Sequence, residues 1–217
     1  MSVLKLEKVS YHYANSKAKR NIIQDKTYKF DFGKLYGIVG KSGAGKTTLL
    51  SLLAGLTKPT EGKIIYNSKN LNKINSFDYR AQNCGVIFQQ FNLLPQLTAL
   101  ENVMLAMDVS GKKYDQSKNK LAKNILRSVE LPEIYDNKKI LQLSGGEQQR
   151  VACARALAIK PDIILADEPT GNLDSETQND IINIFDKLAH KENKCVIIVT
   201  HSQEVAKRLD MIYELKK

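Results

Sequence analysis

Residues 35–56 read "LYGIVGKSGAGKTTLLSLLAGL", and three textures follow one another in that stretch. "LYGIVG" is a short apolar run ending in glycine, as a buried parallel strand would be. "KTTLLSLLAGL" predicts a helix. Between them "GKSGAGKT", Gly40 to Thr47, fits G-x-x-x-x-G-K-[ST] in the strand–loop–helix setting that the motif requires. Its glycines let the backbone curl so that successive N–H groups face bound phosphates. Lys46 supplies a point charge to the terminal phosphates, and the Thr47 hydroxyl can ligate Mg²⁺.

A phosphate loop of this kind needs a second, acidic site for the metal, and "IILADE" supplies one. A buried strand ends there in Asp167 and then Glu168. Asp167 is the expected partner of Mg²⁺ through its water shell. Glu168, one residue further out, is placed to polarise an attacking water.

Outward from these two motifs the chain alternates strands and helices. "VLKLEKV" alternates as a half-buried strand should, and "KTYKFDFGK" reads as a second strand closed by a Gly turn. "GKIIYN" and "CGVIF" read as further strands. From about residue 90 to 143 strand signals vanish, and helical periods take over in "ALENVMLAM" and "QSKNKLAKNILRSVEL". After them come a "GGEQQRVACARALAI" helix, the "DIILAD" strand, a "SETQNDIINIFDKLAH" helix, the "CVIIVT" strand, and a final short helix and strand. This order predicts an α/β fold: a P-loop core with a mostly parallel sheet, an N-terminal antiparallel β part, and a helical insertion over about 90–143. We read residues 1–217 as a single domain.

The bulk numbers bound the rest. With 217 residues the chain can build one good-sized core. No apolar run approaches the roughly 20 residues that span a bilayer, and no signal peptide opens the sequence. Cys84, Cys153 and Cys195 are odd in number, far apart and without a CxxC pattern, which points to reduced, core-packed thiols. The net charge of +10 suits nucleic acid or an anionic membrane face, and equally a well-solvated lysine-rich surface. Charge alone does not choose.

Residues 143–150 read "LSGGEQQR". Ser144, Gly145 and Gly146 open a helix there, offering a hydroxyl, free N–H groups and a positive dipole end, which is a second phosphate site far along the chain from the first. With "GKSGAGKT", "LSGGEQQR" and "IILADEPTGNLD" in that order, nearly the whole chain resembles an ATP-binding cassette (ABC) ATPase. In that family the signature motif of one subunit closes over the γ-phosphate held by the P-loop of the other. The resemblance therefore implies that each chain carries half of two shared sites in a homodimer around two ATP.

The resemblance also implies roles residue by residue. Gly40, Lys41, Ser42, Gly43, Ala44, Gly45, Lys46, Thr47 and Thr48 would wrap the phosphates, and Lys46 would also act in catalysis. Gln89, in "VIFQQFNLLPQLTALENV", matches the Q-loop glutamine that touches Mg²⁺ and senses the transport partner. Thr47 and Asp167 would join it at the metal. Glu168 would be the general base, and His201 matches the switch histidine that contacts the γ-phosphate. Asp174, in "GNLD", matches the D-loop along the dimer seam, and Tyr13 matches the aromatic that stacks on adenine, with Tyr11 close by. Lys41 and Ala44 replace the proline and serine commonest in the family's P-loop. "YELKK" lacks the glycine and last strand usual at that edge.

"VIFQQFNLLPQLTALENV" and "DEPTGNLDSET" look most like the MacB/LolD-type cassettes. That likeness implies a separate FtsX-like permease, export or extrusion of peptides, antimicrobial peptides or lipoproteins, and a cytoplasmic chain peripheral on the inner face of the membrane. An FtsE-like regulator of cell-wall hydrolysis and the ATPase of an importer are the alternatives. Chromosome-maintenance and DNA-repair ATPases separate their motifs by a long coiled coil, whereas Gln89 to Ser144 spans only 55 residues (144 − 89), so no nucleic acid is expected. Within the insertion, Leu100, Val103, Met104 and Met107 have core spacing. Phe91, Leu93, Leu94 and Leu97 are the expected lining of a groove for a helix of the permease.

Overall fold

The computed structural model describes residues 2–13, 21–171 and 173–216. In chain order the elements are β1 (Ser2–Tyr11), β2 (Ile23–Asp31), β3 (Lys34–Val39), α1 (Lys46–Leu53), β4 (Glu61–Tyr66), β5 (Lys69–Asn70), α2 (Ser76–Gln82) and β6 (Cys84–Ile87). They continue with α3 (Ala99–Val109), α4 (Lys118–Ser128), α5 (Gly145–Leu157), β7 (Ile163–Asp167), α6 (Ser175–His190), β8 (Cys195–Val199), α7 (Gln203–Ala206) and β9 (Met211–Glu214). Two sheets result: an antiparallel one in the order β2-β1-β4-β5, and one in the order β6-β7-β8-β3-β9 whose strand pairs are all parallel. Fold class and element types agree with the sequence. The short α2 had no periodic signal and forms because Asn75 caps its N-terminus and Tyr79 is fully buried beneath it.

Every residue of β7 and β8 is buried, which is why both read as unbroken apolar runs rather than alternating ones. The alternation is still there, between two cores. Ile164, Ala166, Val196 and Ile198 face the core beneath α3, α4, α5 and α6. Ile163, Leu165, Ile197 and Val199 face the core shared by α1, α2 and the antiparallel sheet. Each buried Ile, Leu or Val contributes about 1.5–3 kcal/mol relative to exposure, so the sheet is held from both faces. Cys84, Cys153 and Cys195 are free and buried, with their thiols pushed up by burial. They pack as small apolar groups.

The helices end where their sequences say. Thr98 and Glu101 form a capping box on α3, and Asp174 caps α6, whose first turn carries Glu176 and whose last carries Lys187 and His190. Ile181, Ile182, Ile184, Phe185, Leu188 and Ala189 give α6 one continuous buried face. Among the described residues no helix is long and apolar enough to cross a membrane.

The last strand forms, contrary to what "YELKK" suggested. Asp210 fixes it: its backbone N–H donates to Leu35 O at 2.8 Å, and its Oδ2 accepts the Leu35 N–H at 2.8 Å. β9 therefore enters in register beside β3. Tyr213 then stacks on Tyr28 at 4.2 Å and bonds Lys29 O, tying the two sheets together. His190 completes the joint, with Nδ1 3.1 Å from Asp186 Oδ1 and Nε2 2.9 Å from Asp210 Oδ2. Both nitrogens can donate only in the imidazolium.

The hydrogen bond to Asp210, with the charges of Asp210 and Asp186, raises the His190 pKa against a smaller effect of burial. Stability from this contact is therefore full below the usual imidazole range and lost as pH rises through the raised value. Melting curves from about pH 6 to about pH 9 should fall by roughly 1–3 °C more for the unaltered chain than for His190→Gln. Parallel curves would remove His190 from the joint.

Candidate active site

Strand register creates the site. Ile38 of β3 pairs with Val199 of β8, and Val199 pairs with Asp167 of β7. The three carboxyl ends are thus level, so the residues just beyond them, Gly40, Glu168 and His201, are forced together. In open α/β sheets this end is where ligands bind. A cleft of ≈ 750 Å³ opens there, lined by the phosphate loop, Gln89, Asp167, Glu168 and His201.

The loop holds its shape through Gly43 (φ 72) and Gly45 (φ 95), both left-handed. A Cβ on Gly45 would also meet Ile22 Cγ2 at 2.8 Å. Lys41 is exposed and Ala44 buried, so the two replacements leave the curl intact. Lys46 is 7 % exposed, and its ammonium donates to Gly40 O at 2.9 Å and Lys41 O at 3.3 Å. No side chain caps α1. Its first N–H groups face the cleft with the positive end of the helix dipole. Beside it Tyr13, 53 % exposed, brings its hydroxyl 3.4 Å from Thr48 Oγ1 and its ring edge-on to Tyr11.

Across the cleft, Asp167 is buried and bonded by Thr47; burial raises its pKa, and the Thr47 bond and Lys46 only partly offset this. Glu168 takes a left-handed backbone (φ 47), uncommon for such a residue. Its N–H donates to Val199 O at 2.9 Å, and its Oε2 accepts the His201 N–H at 3.2 Å. His201 Nε2 lies 3.0 Å from Glu168 Oε1 but is not aligned for a hydrogen bond, so that buried oxygen has no donor among the described residues. Burial raises the Glu168 pKa, with His201 opposing.

These features fit Mg²⁺ and a nucleotide. An uncapped helix end and a buried ammonium resting on carbonyls both suit phosphate. Thr47 and Asp167 offer hard oxygen donors, and Glu168 Oε1 is an acceptor without an aligned donor among the described residues. Among the described residues no group of three or more His, Cys, Asp or Glu could hold a metal alone.

Ser144, Gly145 and Gly146 do not line this cleft. Ser144 caps α5 in a capping box with Glu147: Glu147 N donates to Ser144 Oγ at 3.3 Å, and Ser144 N to Glu147 Oε2 at 2.7 Å. Ser144 and Gly145 are exposed, with nothing within 4 Å of where a Gly145 Cβ would stand. Gly146 is needed because a Cβ there would meet Thr177 Cγ2 at 2.8 Å. Thr177 is in turn held by Asp174, whose Oδ1 accepts its N–H at 2.9 Å and whose Oδ2 accepts its hydroxyl at 2.8 Å. The rest of "LSGGEQQR" is scaffolding. Gln148 donates to Leu143 O at 2.9 Å, and Arg150 to Val129 O at 2.9 Å and Asp180 at 2.7 Å.

The segment after Gln89 departs from expectation. Leu100, Val103 and Met107 are core, with Met104 packed against it, as their spacing indicates. Phe91 and Leu93 are half-buried against that same core and Leu97 is also half-buried, leaving Leu94, 44 % exposed, as the open one of the four. The cause is a residue that sequence reading passed over. Buried Asn102 of α3 accepts the Leu94 N–H at 2.9 Å and donates to Leu94 O at 3.1 Å and Thr98 O at 3.0 Å. An Asn at helical spacing inside an apolar stripe was the available signal.

Fold and cleft together define a P-loop nucleotide hydrolase with an exposed second phosphate-type helix end. The profile of the ABC transporter family matches residues 23–171. The chain is 46% identical over its whole length to an uncharacterized ABC transporter ATP-binding protein, YclH, of Bacillus subtilis (strain 168), covering 95% of that protein. It is 42% identical to the lipoprotein-releasing system ATP-binding protein LolD of Rickettsia bellii (strain RML369-C), over 99% of this chain and 95% of the relative. A solved dimer of the ATP-binding cassette MJ0796, a protein of Methanocaldococcus jannaschii, bound to ADP and Pi superposes with TM-score 0.90 at 39% identity, covering 98% of this chain and 94% of that one. The chain belongs to the ABC transporter ATP-binding family, and it is an ABC ATPase.

Because burial raises the Asp167 pKa, its ionised form costs stability above that value, and the cost disappears as pH falls through it. Without nucleotide, Asp167→Asn should melt higher than the unaltered chain near about pH 7, the gap closing as pH falls through the raised value to the ordinary carboxylate range near about pH 4. Equal melting at both would contradict the burial account.

Proposed function

We propose that this chain hydrolyses ATP as a homodimer around two nucleotides and drives a separate, FtsX-like permease that exports or extrudes peptides or lipoproteins at the inner face of the membrane. The observation that carries the dimer is the separation of the two phosphate-type sites. The cleft with Lys46 and Glu168 has no signature residue in its lining, while Ser144 and Gly145 stand exposed elsewhere. A dimeric relative at 39% identity supports this reading, and relatives at about the same similarity from lipoprotein-releasing systems support the substrate class.

In this mechanism the loop from Gly40 to Thr48 wraps the phosphates, and Lys46 exchanges its carbonyl partners for phosphate oxygens. Tyr13 offers its exposed ring to the adenine. Thr47, Asp167 and Gln89 would hold Mg²⁺, which when bound would supply charge neutralisation to the phosphates. Glu168 Oε1, buried and without an aligned donor, accepts the proton of the attacking water. The water oxygen bonds to the γ-phosphorus as the bond to the β-phosphate oxygen breaks. His201 orients Glu168 and meets the γ-phosphate. Ser144, Gly145 and Gly146 close over the phosphate of the partner's site, with Asp174 beside them at the seam. The raised Glu168 pKa means that activity is lost on acidification at a higher pH than for a free carboxylate.

Glu168→Gln keeps the shape but cannot take the proton. Turnover should fall by roughly 10²-fold or more while ATP binding and ATP-dependent dimerisation persist; near-normal turnover would remove Glu168 as the base. Ser144→Arg should leave ATP binding by the monomer nearly intact and abolish the ATP-dependent dimer in gel filtration. Loss of monomer binding would refute the shared site. Leu94→Glu should release the chain from permease-containing membranes without lowering basal hydrolysis, and retained membrane binding would count against the docking surface.

A further inference from the structure

The guanidinium of Arg155, on α5, is half-buried, and among the described residues no charged partner compensates it: burial alone lowers its pKa. Its two terminal nitrogens are spent on two consecutive backbone carbonyls, Nη2 on Phe91 O at 2.8 Å and Nη1 on Asn92 O. Both of those residues are left-handed, Phe91 at φ 58 and Asn92 at φ 50. A bulky aromatic is uncommon there and persists only when its surroundings over-determine it. The turn is completed by the Phe91 N–H donating to Phe88 O at 3.0 Å, and Gln89 sits inside it.

We infer that Arg155 is a positioning residue that welds the turn carrying Gln89 to the helix that begins at Ser144. This rests on the reading of the cleft as an ATPase site. Along α5, Ser144 and Arg155 are about 16 Å apart at 1.5 Å per residue. A guanidinium fork binding two adjacent carbonyls fixes orientation as well as distance, which a single ammonium cannot do. The end of α5 that meets the partner's nucleotide and the glutamine of the chain's own cleft thus move as one rigid piece. Asn102 anchors the far end of the same segment to α3, so removing Arg155 frees the Gln89 turn alone.

The test compares the full-length chain with Arg155→Met, similar in reach but without donors, and Arg155→Lys, which keeps the charge and loses the fork. Three quantities are measured: kcat and KM for ATP, the melting temperature, and amide hydrogen exchange. For Arg155→Met, kcat should fall by about 10- to 10²-fold with KM for ATP little changed, because the phosphate loop is untouched. Exchange at residues 91 and 92 should rise by about tenfold or more, while α1 stays protected. Arg155→Lys should fall between the two chains in both readouts. A lowered melting temperature with normal kcat, or exchange raised evenly over the chain, would reduce Arg155 to packing and overturn the inference. If Arg155→Met does not fold, Arg155→Lys decides: a normal kcat with normal exchange at 91 and 92 overturns it. If the unaltered chain hydrolyses no ATP, the functional reading fails by itself, and local exchange at 91 and 92 still decides whether Arg155 holds the turn.

Discussion

The hydrogen-bonded alignment of β3, β8 and β7 is the constraint on which the rest of this molecule depends. Ile38, Val199 and Asp167 stand abreast across three parallel strands. That alignment converts three positions up to 161 residues apart (199 − 38) into one cleft edge. A slip of one residue would exchange the two faces of a strand. Because β7 and β8 are buried on both faces against separate cores, such a slip would put every side chain into the wrong core. The cleft is thus as precise as the sheet is well packed.

The chain uses two helix N-termini in opposite ways. α1 begins without a side-chain cap, so its amides and dipole face the cleft. α5 begins with a complete capping box, Ser144 with Glu147, and is open only at its outer surface over Gly145. An uncapped end suits a ligand bound by the chain's own loop. A self-capped, exposed end suits a ligand that arrives on another surface, because it must remain ordered without it. Gly146 lets this end pack against Thr177 and so against the Asp174 cap of α6.

Three of the chain's left-handed residues stand at the cleft or next to Gln89. Glu168, Phe91 and Asn92 are all left-handed, and each is held by bonds from another element: Glu168 by Val199 and His201, Phe91 and Asn92 by Arg155. Glu168 and Asp167 both carry pKa values raised by burial. Groups whose charge is disfavoured by burial cost stability, a common trade at sites built for chemistry.

The sequence by itself determined the fold class and the local form of its motifs. Glycine spacing in "GKSGAGKT", the acidic end of "IILADE" and the helix start in "LSGGEQQR" are local constraints, each satisfied within a turn or two of backbone, so they are legible in one dimension. Only the tertiary structure decided which of these pieces meet. That Glu168 faces His201 follows from pairing between β7 and β8, which are separated in sequence by the whole of α6. That Phe91 and Leu93 lie against the core while Leu94 stays open follows from Asn102 and Arg155, polar residues whose carbonyl partners carry no signal in side-chain chemistry. Likewise β9 is set beside β3 because Asp210 supplies both a backbone and a carboxylate bond to Leu35. Sequence patterns report what a segment does to its own backbone; contacts made to the backbone of a distant segment are written only in three dimensions.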